Sequence, residues 1–381
     1  KVKERFVPLP TFVKEVKPRR RKDGTLSTVG LNSLGQGWVN VMGEFSLIEM
    51  KEFNLGSRQQ IGKYLQYFGW KPTKFTDKGH IIVDEKVLEG VEGIPEAELI
   101  RNFLLLQKRI AQVSSWVEAV AEDGRVHGRV ITNGAITGRM SHQSPNMAQV
   151  PAVYSPYGTE CRGLWVVPSG YKLVGVDASG LELRILSHYM NDKEYIDAII
   201  NGDIHTTNQN LAGLDTRDQA KTFIYAFIYG AGDEKLGTIV GGNRSDGKKI
   251  KERFLRGTPA LASFRQRVGK ATGKGWLRGI DGRRLIIRNR HSAVNTLIQG
   301  GGAIVMKKAL ILLDDYVLQN KLEARPVANV HDEFQYEVLE AHADDFGKLA
   351  VNSIVNAGIE LGIRCPLNGE YKSGNNWQET H

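Results

Sequence analysis

At 381 residues and 41% apolar, the chain is long enough to bury a substantial core and to form more than one domain, and it fits a globular protein. No stretch reaches the roughly eighteen uninterrupted apolar residues of a membrane span, and Lys1 to Arg5 lead into no apolar signal core, so no membrane partner and a cytoplasmic location are expected. Against 42 Asp and Glu stand 51 Lys and Arg, a net charge of +9 that favours a polyanionic partner through counterion release. Cys161 and Cys365 are the only cysteines and lack CxxC or Cys/His spacing, so neither a disulfide framework nor a structural zinc site is supported.

Residues 1–50 carry Pro8, Pro10 and Pro18, a basic run from Lys17 to Lys22, and glycines from Gly30 to Gly43. They predict an extended or weakly ordered appendage with short strands. The basic run suits a phosphate backbone and a solvated loop equally. Helical spacing over 57–65 and 96–121, with Leu99, Phe103, Leu106, Ile110 and Val113 recurring, predicts a pair of helices. Lys108 and Arg109 within the second read most simply as a solvent-facing basic pair. Short strands and loops are expected over 124–190, with turns at Asp123–Gly124 and Asn133–Gly134. Residues 192–275 predict helices interrupted by Gly230, Gly232, Gly237, Gly241 and Gly242. A long helix over 295–319 and two β-prone runs, Arg325 to Val330 and Glu333 to Val338, complete the chain, with no internal repeat.

The run from Tyr171 to Val176 is apolar and β-prone, which puts Asp177 at a strand end where its side chain can leave the sheet. Asp332 lies in the polar turn His331–Asp332–Glu333 between the two β-prone runs, and a hairpin there would bring it alongside Asp177. Magnesium is held by one or two carboxylates plus substrate phosphates. On spacing alone, two unrelated surface acids are the simpler reading. Arg217, Lys221, Tyr225 and Tyr229 recur every four residues, so they line one face of a helix that buries Phe223 and Phe227 on the other. Asp215 or Thr216 would cap it. Such a face can clasp a polyphosphate and stack on a base or sugar. Alone it would read as a solvated stripe; with two acids it points to nucleotidyl transfer from a triphosphate.

The segments Asp177 to Glu182, Arg217 to Gly230 and Val330 to Glu333 resemble motifs A, B and C of the family A (Pol I-type) DNA polymerases. Thr137–Gly138–Arg139 with Ser141 and Pro145–Asn146, Gly202 to His205, Gly282–Arg283–Arg284, and Asn295 to Gly300 extend the resemblance from about Phe53 to the C-terminus. Lys221 to Tyr225, Tyr229 to Lys235 and Ser155 to Gly158 narrow it toward replicative polymerases of short-tailed bacteriophages (podoviruses). It implies an α/β (α+β) right-hand polymerase fold with a palm sheet, helical fingers and a partial helical thumb. The expected domains are a basic appendage or thumb insertion at 1–50, partial thumb at 51–123, palm at 124–190, fingers at 191–300 and palm again at 301–381.

The resemblance also implies roles. Asp177, Asp332 and the Ala178 carbonyl would hold two Mg²⁺ ions, with Asp177, Asp332, Lys221 and Glu333 as the catalytic set. His205, Arg217 and Lys221 would bind the triphosphate, Tyr225 the deoxyribose, and Tyr229 would lie near the templating base. Glu182, packed beneath the sugar, would exclude a 2′-hydroxyl and select dNTPs. Arg139, Arg283, Asn295, Gln299 and His331 would contact the DNA primer-template, partly through the minor groove. Residues 1–150 lack an Asp-x-Glu metal motif, so no proofreading exonuclease domain is expected. The first part of the family's thumb also precedes the match. A template-directed DNA polymerase acting in phage-type replication, in the host cytoplasm, is therefore expected. The alternative is a DNA-binding polymerase half that works only with a separate exonuclease/thumb polypeptide. Residues 1–50 stand where phage relatives carry a thumb insertion that can bind a processivity factor, and being short and basic they suit either such a partner or direct contact with DNA; Glu182 argues against an RNA polymerase.

Overall fold

The computed structural model describes residues 12–16, 20–25, 27, 47–51 and 53–381. The chain forms two compact units, residues 1–117 and 118–381. In the first, β1 (Phe12–Val16) pairs antiparallel with β2 (Leu47–Lys51), Phe12 opposite Lys51. Of the basic run, Lys17 to Arg19 lie outside the described residues, while Arg20 to Lys22 are exposed. Three helices follow: α1 (Arg58–Tyr67), α2 (Glu85–Glu89) and α3 (Glu96–Glu118). Ser57 caps α1, and Asp84 caps α2 by accepting from the Val87 N–H at 2.8 Å.

Ile61, Leu65, Leu88, Ala97, Ile100 and Leu104 make the core of this unit. The apolar spacing in α3 marks the helix but not its buried face. Leu99 and Ile110 are 59% and 64% exposed, and Phe103 and Leu106 are exposed too. Two apolar stripes overlap in this sequence, and Ile100 and Leu104 sit one residue, about 100°, around from Leu99 and Phe103.

The second unit opens with a small hairpin, β3 (Arg129–Ile131) and β4 (Ser141–Gln143), and the short α4 (Gly158–Gly163). Next come β5 (Tyr171–Ala178) and seven helices: α5 (Leu181–Met190), α6 (Lys193–Ile200), α7 (Ile204–Ala212), α8 (Arg217–Ile228), α9 (Asp233–Thr238), α10 (Arg244–Gly257) and α11 (Pro259–Ala271). A second hairpin, β6 (Trp276–Arg278) and β7 (Arg284–Ile286), precedes the long α12 (Ala293–Gln319). β8 (Ala324–Val330), β9 (Glu333–Leu339), α13 (Ala343–Glu360) and β10 (Gly369–Gly374) finish the chain.

The main sheet is antiparallel throughout, in the order β10-β5-β9-β8. β9 is central and buried from Glu333 to Val338, although Glu333, Gln335 and Glu337 alternate along it with Phe334, Tyr336 and Val338, so the polar residues on one of its faces need partners inside the protein. Its Glu337, 2% exposed, is matched by Arg125, whose Nη2 lies 3.0 and 2.9 Å from the two carboxylate oxygens. α13 packs on β5 and β10, burying Phe346, Ala350 and Ile354 with Val174, Val176, Phe334 and Tyr336. α12 is long and apolar enough by composition to cross a membrane, but 61% of its apolar window is buried inside the protein. Gly300, Gly301 and Gly302 permit that burial: a Cβ on Gly301 would lie 2.8 Å from Ile185 of α5, and one on Gly300 2.9 Å from Leu285 of β7.

Between α8 and α10 the core is aromatic. Phe254 meets Phe223 and Phe227 edge-on at 5.3 and 5.5 Å, an arrangement that adds to their burial. α8 starts at a capping box in which Thr216 accepts from the Gln219 N–H at 3.2 Å, so Thr216, not Asp215, is the cap.

Candidate active site

β5 delivers Asp177 to the end of the sheet, and the β8–β9 turn delivers Asp332 beside it. The register sets Asp177 opposite Glu333, while the Ala178 N–H donates to the Asp332 carbonyl at 3.0 Å. His331 in the turn adopts φ 61°, a left-handed conformation that non-glycine residues rarely take. The Asp177 side chain reaches solvent, yet protein encloses much of the volume around it. Burial, then the charges of Asp332 and Glu333, push its carboxyl up to about 7. Asp332 is also raised by burial, with Arg139 pulling the other way.

Two hard carboxylates that repel each other in a partly enclosed cleft are a donor set suited to a divalent cation. Among the described residues no group of three or more His, Cys, Asp or Glu side chains could hold a metal. The fit therefore rests on this pair.

Glu333, expected in the catalytic set, lies in a buried hydrogen-bond network. Only 7% exposed, it accepts from Trp377 Nε1 and Gln335 Nε2, each at 2.6 Å, on one oxygen. His381 Nε2 lies 3.1 Å from the other oxygen, and Arg162 Nη1 is 4.0 Å away. Burial would raise its pKa, but the bonds from His381, Gln335 and Trp377 outweigh that and lower it. Arg162 is itself stacked on Trp377 at 4.6 Å and donates to the Pro151 carbonyl at 3.0 Å. Glu333 thus braces the C-terminal segment against the turn that carries Asp332. Gly175 makes room for that segment, since a Cβ there would lie 2.5 Å from Gln335 and 2.7 Å from Thr380.

On the helical side, Asp203 caps α7 through the His205 N–H at 3.0 Å and grips Arg217, whose Nε and Nη2 reach its two oxygens at 2.6 and 3.2 Å. These bonds, from Arg217 first and then Thr206, hold the Asp203 carboxyl far below the usual carboxylate range. Burial, then Arg217, lowers the His205 pKa, and its buried Nδ1 has no hydrogen-bond partner among the described residues. Lys221 is exposed one turn beyond Arg217. Tyr225 is half-buried, and its hydroxyl is raised by burial and then by Glu182, Asp332 and Asp177, so it shares a field with both acids.

Glu182, at the start of α5, is 8% exposed with both oxygens engaged. Arg139 Nη2 donates to one at 3.1 Å and the Tyr229 hydroxyl to the other at 2.8 Å. Burial, then Glu182, raises the Tyr229 pKa. Arg283 donates to the Thr137 carbonyl at 2.8 Å over Gly138, where a Cβ would lie 2.4 Å from the guanidinium. Asn295 and Gln299 are one turn apart on α12, and the buried Asn295 Oδ1 has no hydrogen-bond partner among the described residues. Exposed His331 is lowered by the surrounding protein and by Arg139.

Sequence reasoning missed Arg162, Trp377, His381 and the part played by Asp203. Only Asp203 had a local signal, a Gly–Asp pair just ahead of a helical run.

The description "DNA polymerase family A" belongs to the family model that matches residues 34–379. The DNA-directed DNA polymerases of Enterobacteria phage T3 and Escherichia phage T7 are each 40% identical over 382 residues, covering 88% of this chain and 54% of their own. DNA polymerase I of Pseudomonas aeruginosa is 28% identical over 397 residues, covering 94% of this chain and 42% of its own. Among solved structures, the POL domain of Pol1 from M. smegmatis, in complex with DNA primer-template and dNTP, matches with a TM-score of 0.79. That match is 25% identical and covers 87% of this chain and 62% of that one. The chain spans about half the length of the curated phage relatives it matches. With the family model covering nearly all of the sequence, and a solved polymerase domain sharing its fold, the chain belongs to DNA polymerase family A.

Proposed function

We propose that this chain is a template-directed DNA polymerase of the phage replicative type, adding dNTPs to a primer 3′-hydroxyl. The observation that carries the reading is the pairing of Asp177 with Asp332 in a field shared with Tyr225, on the helix that also bears Arg217 and Lys221. The relatives' names and the primer-template and dNTP in the solved neighbour support it.

Asp177, Asp332 and the Ala178 carbonyl would hold two Mg²⁺ ions, which when bound lower the pKa of an attacking hydroxyl and neutralise a triphosphate and its pyrophosphate leaving group. Arg217 and Lys221 bind the triphosphate, and Arg217 is already oriented by Asp203, from which the phosphates must draw it. Partnerless His205 Nδ1 adds a polar contact. Lys221 is placed to protonate the departing pyrophosphate. Tyr225 packs on the deoxyribose. Glu182 fills the space a 2′-hydroxyl would need, and Tyr229 lies beside it near the templating base. Arg139, Arg283, Asn295, Gln299 and His331 line the primer-template path, partly through the minor groove.

The test is extension of a labelled primer by this chain with Mg²⁺ and dNTPs, alongside rNTPs and an Asp332→Ala control. Extension with dNTPs that the variant abolishes is the expected result, and preferential use of rNTPs would mean an RNA polymerase instead. Because the chain spans about half of its phage relatives, a second reading is tested in the same assay. DNA binding without extension would identify a polymerase half that needs a separate exonuclease/thumb polypeptide.

A further inference from the structure

The β6–β7 hairpin has two unlike faces. Leu277 and Leu285 point inward, 5% and 2% exposed, and Leu285 seats against Gly300 of α12. The outward face carries Trp276 opposite Ile286 and Arg278 opposite Arg284. Ile286 is 58% exposed, both arginines are exposed, and the Arg284 guanidinium lies 4.7 Å above the Trp276 ring.

Like charges set directly opposite on paired strands destabilise the pair, and an isolated two-stranded hairpin is marginal to begin with. Among the described residues neither Arg278 nor Arg284 has a carboxylate partner. The only acid between Arg265 and Arg290 is Asp281, and it lies against Arg283 at 3.4 Å. Exposed Lys270, Lys274 and Arg288 surround the hairpin. An anion between the two guanidinia would relieve the repulsion. The Arg284–Trp276 stack and the open isoleucine add a second requirement, flat or apolar groups to lie on them. Bases within a duplex are covered by their neighbours, whereas those of a single strand are free to stack on aromatic rings or guanidinium planes. The hairpin also adjoins the catalytic cleft, for its turn delivers Arg283 to the Thr137 carbonyl, next to Arg139 and its partner Glu182.

We propose that Trp276, Arg278, Arg284 and Ile286 form a platform for the unpaired template strand, with phosphates between the two arginines and a base on the Arg284–Trp276 stack. The proposal rests on the DNA polymerase reading and adds to it a single-strand site outside the catalytic centre. An acidic peptide would satisfy the arginines but leave the stacking surface unused.

The experiment measures binding of the full chain to primer-templates with a two-nucleotide or a ten-nucleotide 5′ template overhang, by fluorescence anisotropy across a range of salt. The wild type is expected to bind the long overhang more tightly. In Arg278→Gln/Arg284→Gln that increment disappears and the salt slope on the long overhang falls by about 1.4, the release expected for two single-strand phosphate contacts. Trp276→Leu loses roughly fivefold or more on the long overhang, the lower end for one stacked base. Short-overhang binding stays at the wild-type level in both variants, and Arg278→Lys, which keeps the charge and guards against misfolding, retains the slope. An equal affinity for both overhangs in the wild type, or an equal loss on both in the variants, overturns the platform alone. So does an unchanged overhang increment in variants that lose binding to an aspartate-rich peptide, which would assign the face to an acidic protein. No binding to either primer-template overturns the platform together with the polymerase reading.

Discussion

Asp177 and Glu333 are cross-strand neighbours on β5 and β9, and their carboxylates meet opposite environments. Asp177 opens to the cleft with its pKa raised, while Glu333 is buried, hydrogen-bonded and held below its ordinary value. Adjacent acids are thereby divided into one that invites a cation and one that fixes the frame around it.

That division has a thermodynamic sign. The Asp177 carboxyl is raised from 3.8 to about 7, so its stabilising contribution is complete below pH 4 and lost as pH rises through 7. Asp177→Asn should therefore melt at a higher temperature than the wild type above pH 7 without metal, with the gap closing toward pH 4. Millimolar Mg²⁺ should narrow it by stabilising the wild type. Differential scanning fluorimetry across pH, with and without Mg²⁺, reads this directly, and primer extension by the variant should be lost.

For Glu333 the sign reverses. Its lowered pKa gives a contribution present above pH 4.5 and lost as pH falls. Trp377→Phe removes the indole donor but keeps the ring for Arg162, leaving a buried carboxylate short of one partner. A loss of about 1–3 kcal/mol in chemical denaturation is expected. Primer extension at saturating substrate should fall less than in Asp177→Asn, because the variant weakens a brace and leaves both cleft acids in place.

Sugar selection should rest on Glu182. Shortening it to alanine opens the space beneath the ribose and frees Arg139 and Tyr229. The ratio of rNTP to dNTP incorporation in Glu182→Ala should rise on the order of tenfold or more. An unchanged ratio would remove Glu182 from the sugar pocket.

Tyr225 brings a hydroxyl into the field of both acids and Glu182. A dideoxynucleotide lacks the 3′-hydroxyl, and on the proposed reading this phenol would substitute for its hydrogen bond to phosphate. Efficient termination by ddNTPs is expected for the wild type, and Tyr225→Phe should resist them by roughly tenfold or more, the value of one hydrogen bond to a charged group. Steady-state incorporation of ddNTP against dNTP by both proteins provides the check.

The placement of Asp177, Asp332 and the Arg217 helix was legible because its signals are local. A β-prone run ending at Asp177, a polar turn between two more at Asp332, and four-residue spacing from Arg217 to Tyr229 each need only neighbours in sequence. What escaped depends on contacts made at a distance. Glu333 reads as part of a polar turn and, by resemblance, of the catalytic set, until Trp377 and His381, 44 and 48 residues on, close over it. Asp203 reveals its hold on Arg217 only when α7 and α8 pack together. The buried face of α3 was hidden for another reason, since two apolar stripes run along it and sequence spacing does not choose between them.

With Glu182 in the sugar pocket, as proposed, the engagement of both its oxygens would make entry there a competition. A nucleotide reaching that carboxylate would meet a phenol and a guanidinium already seated there, and would have to unseat one of them to bond to it. Rejection of a poor substrate would then need no dedicated ejecting step: the protein's own side chains would return to their places, and every sampling event would be reversible until chemistry commits it.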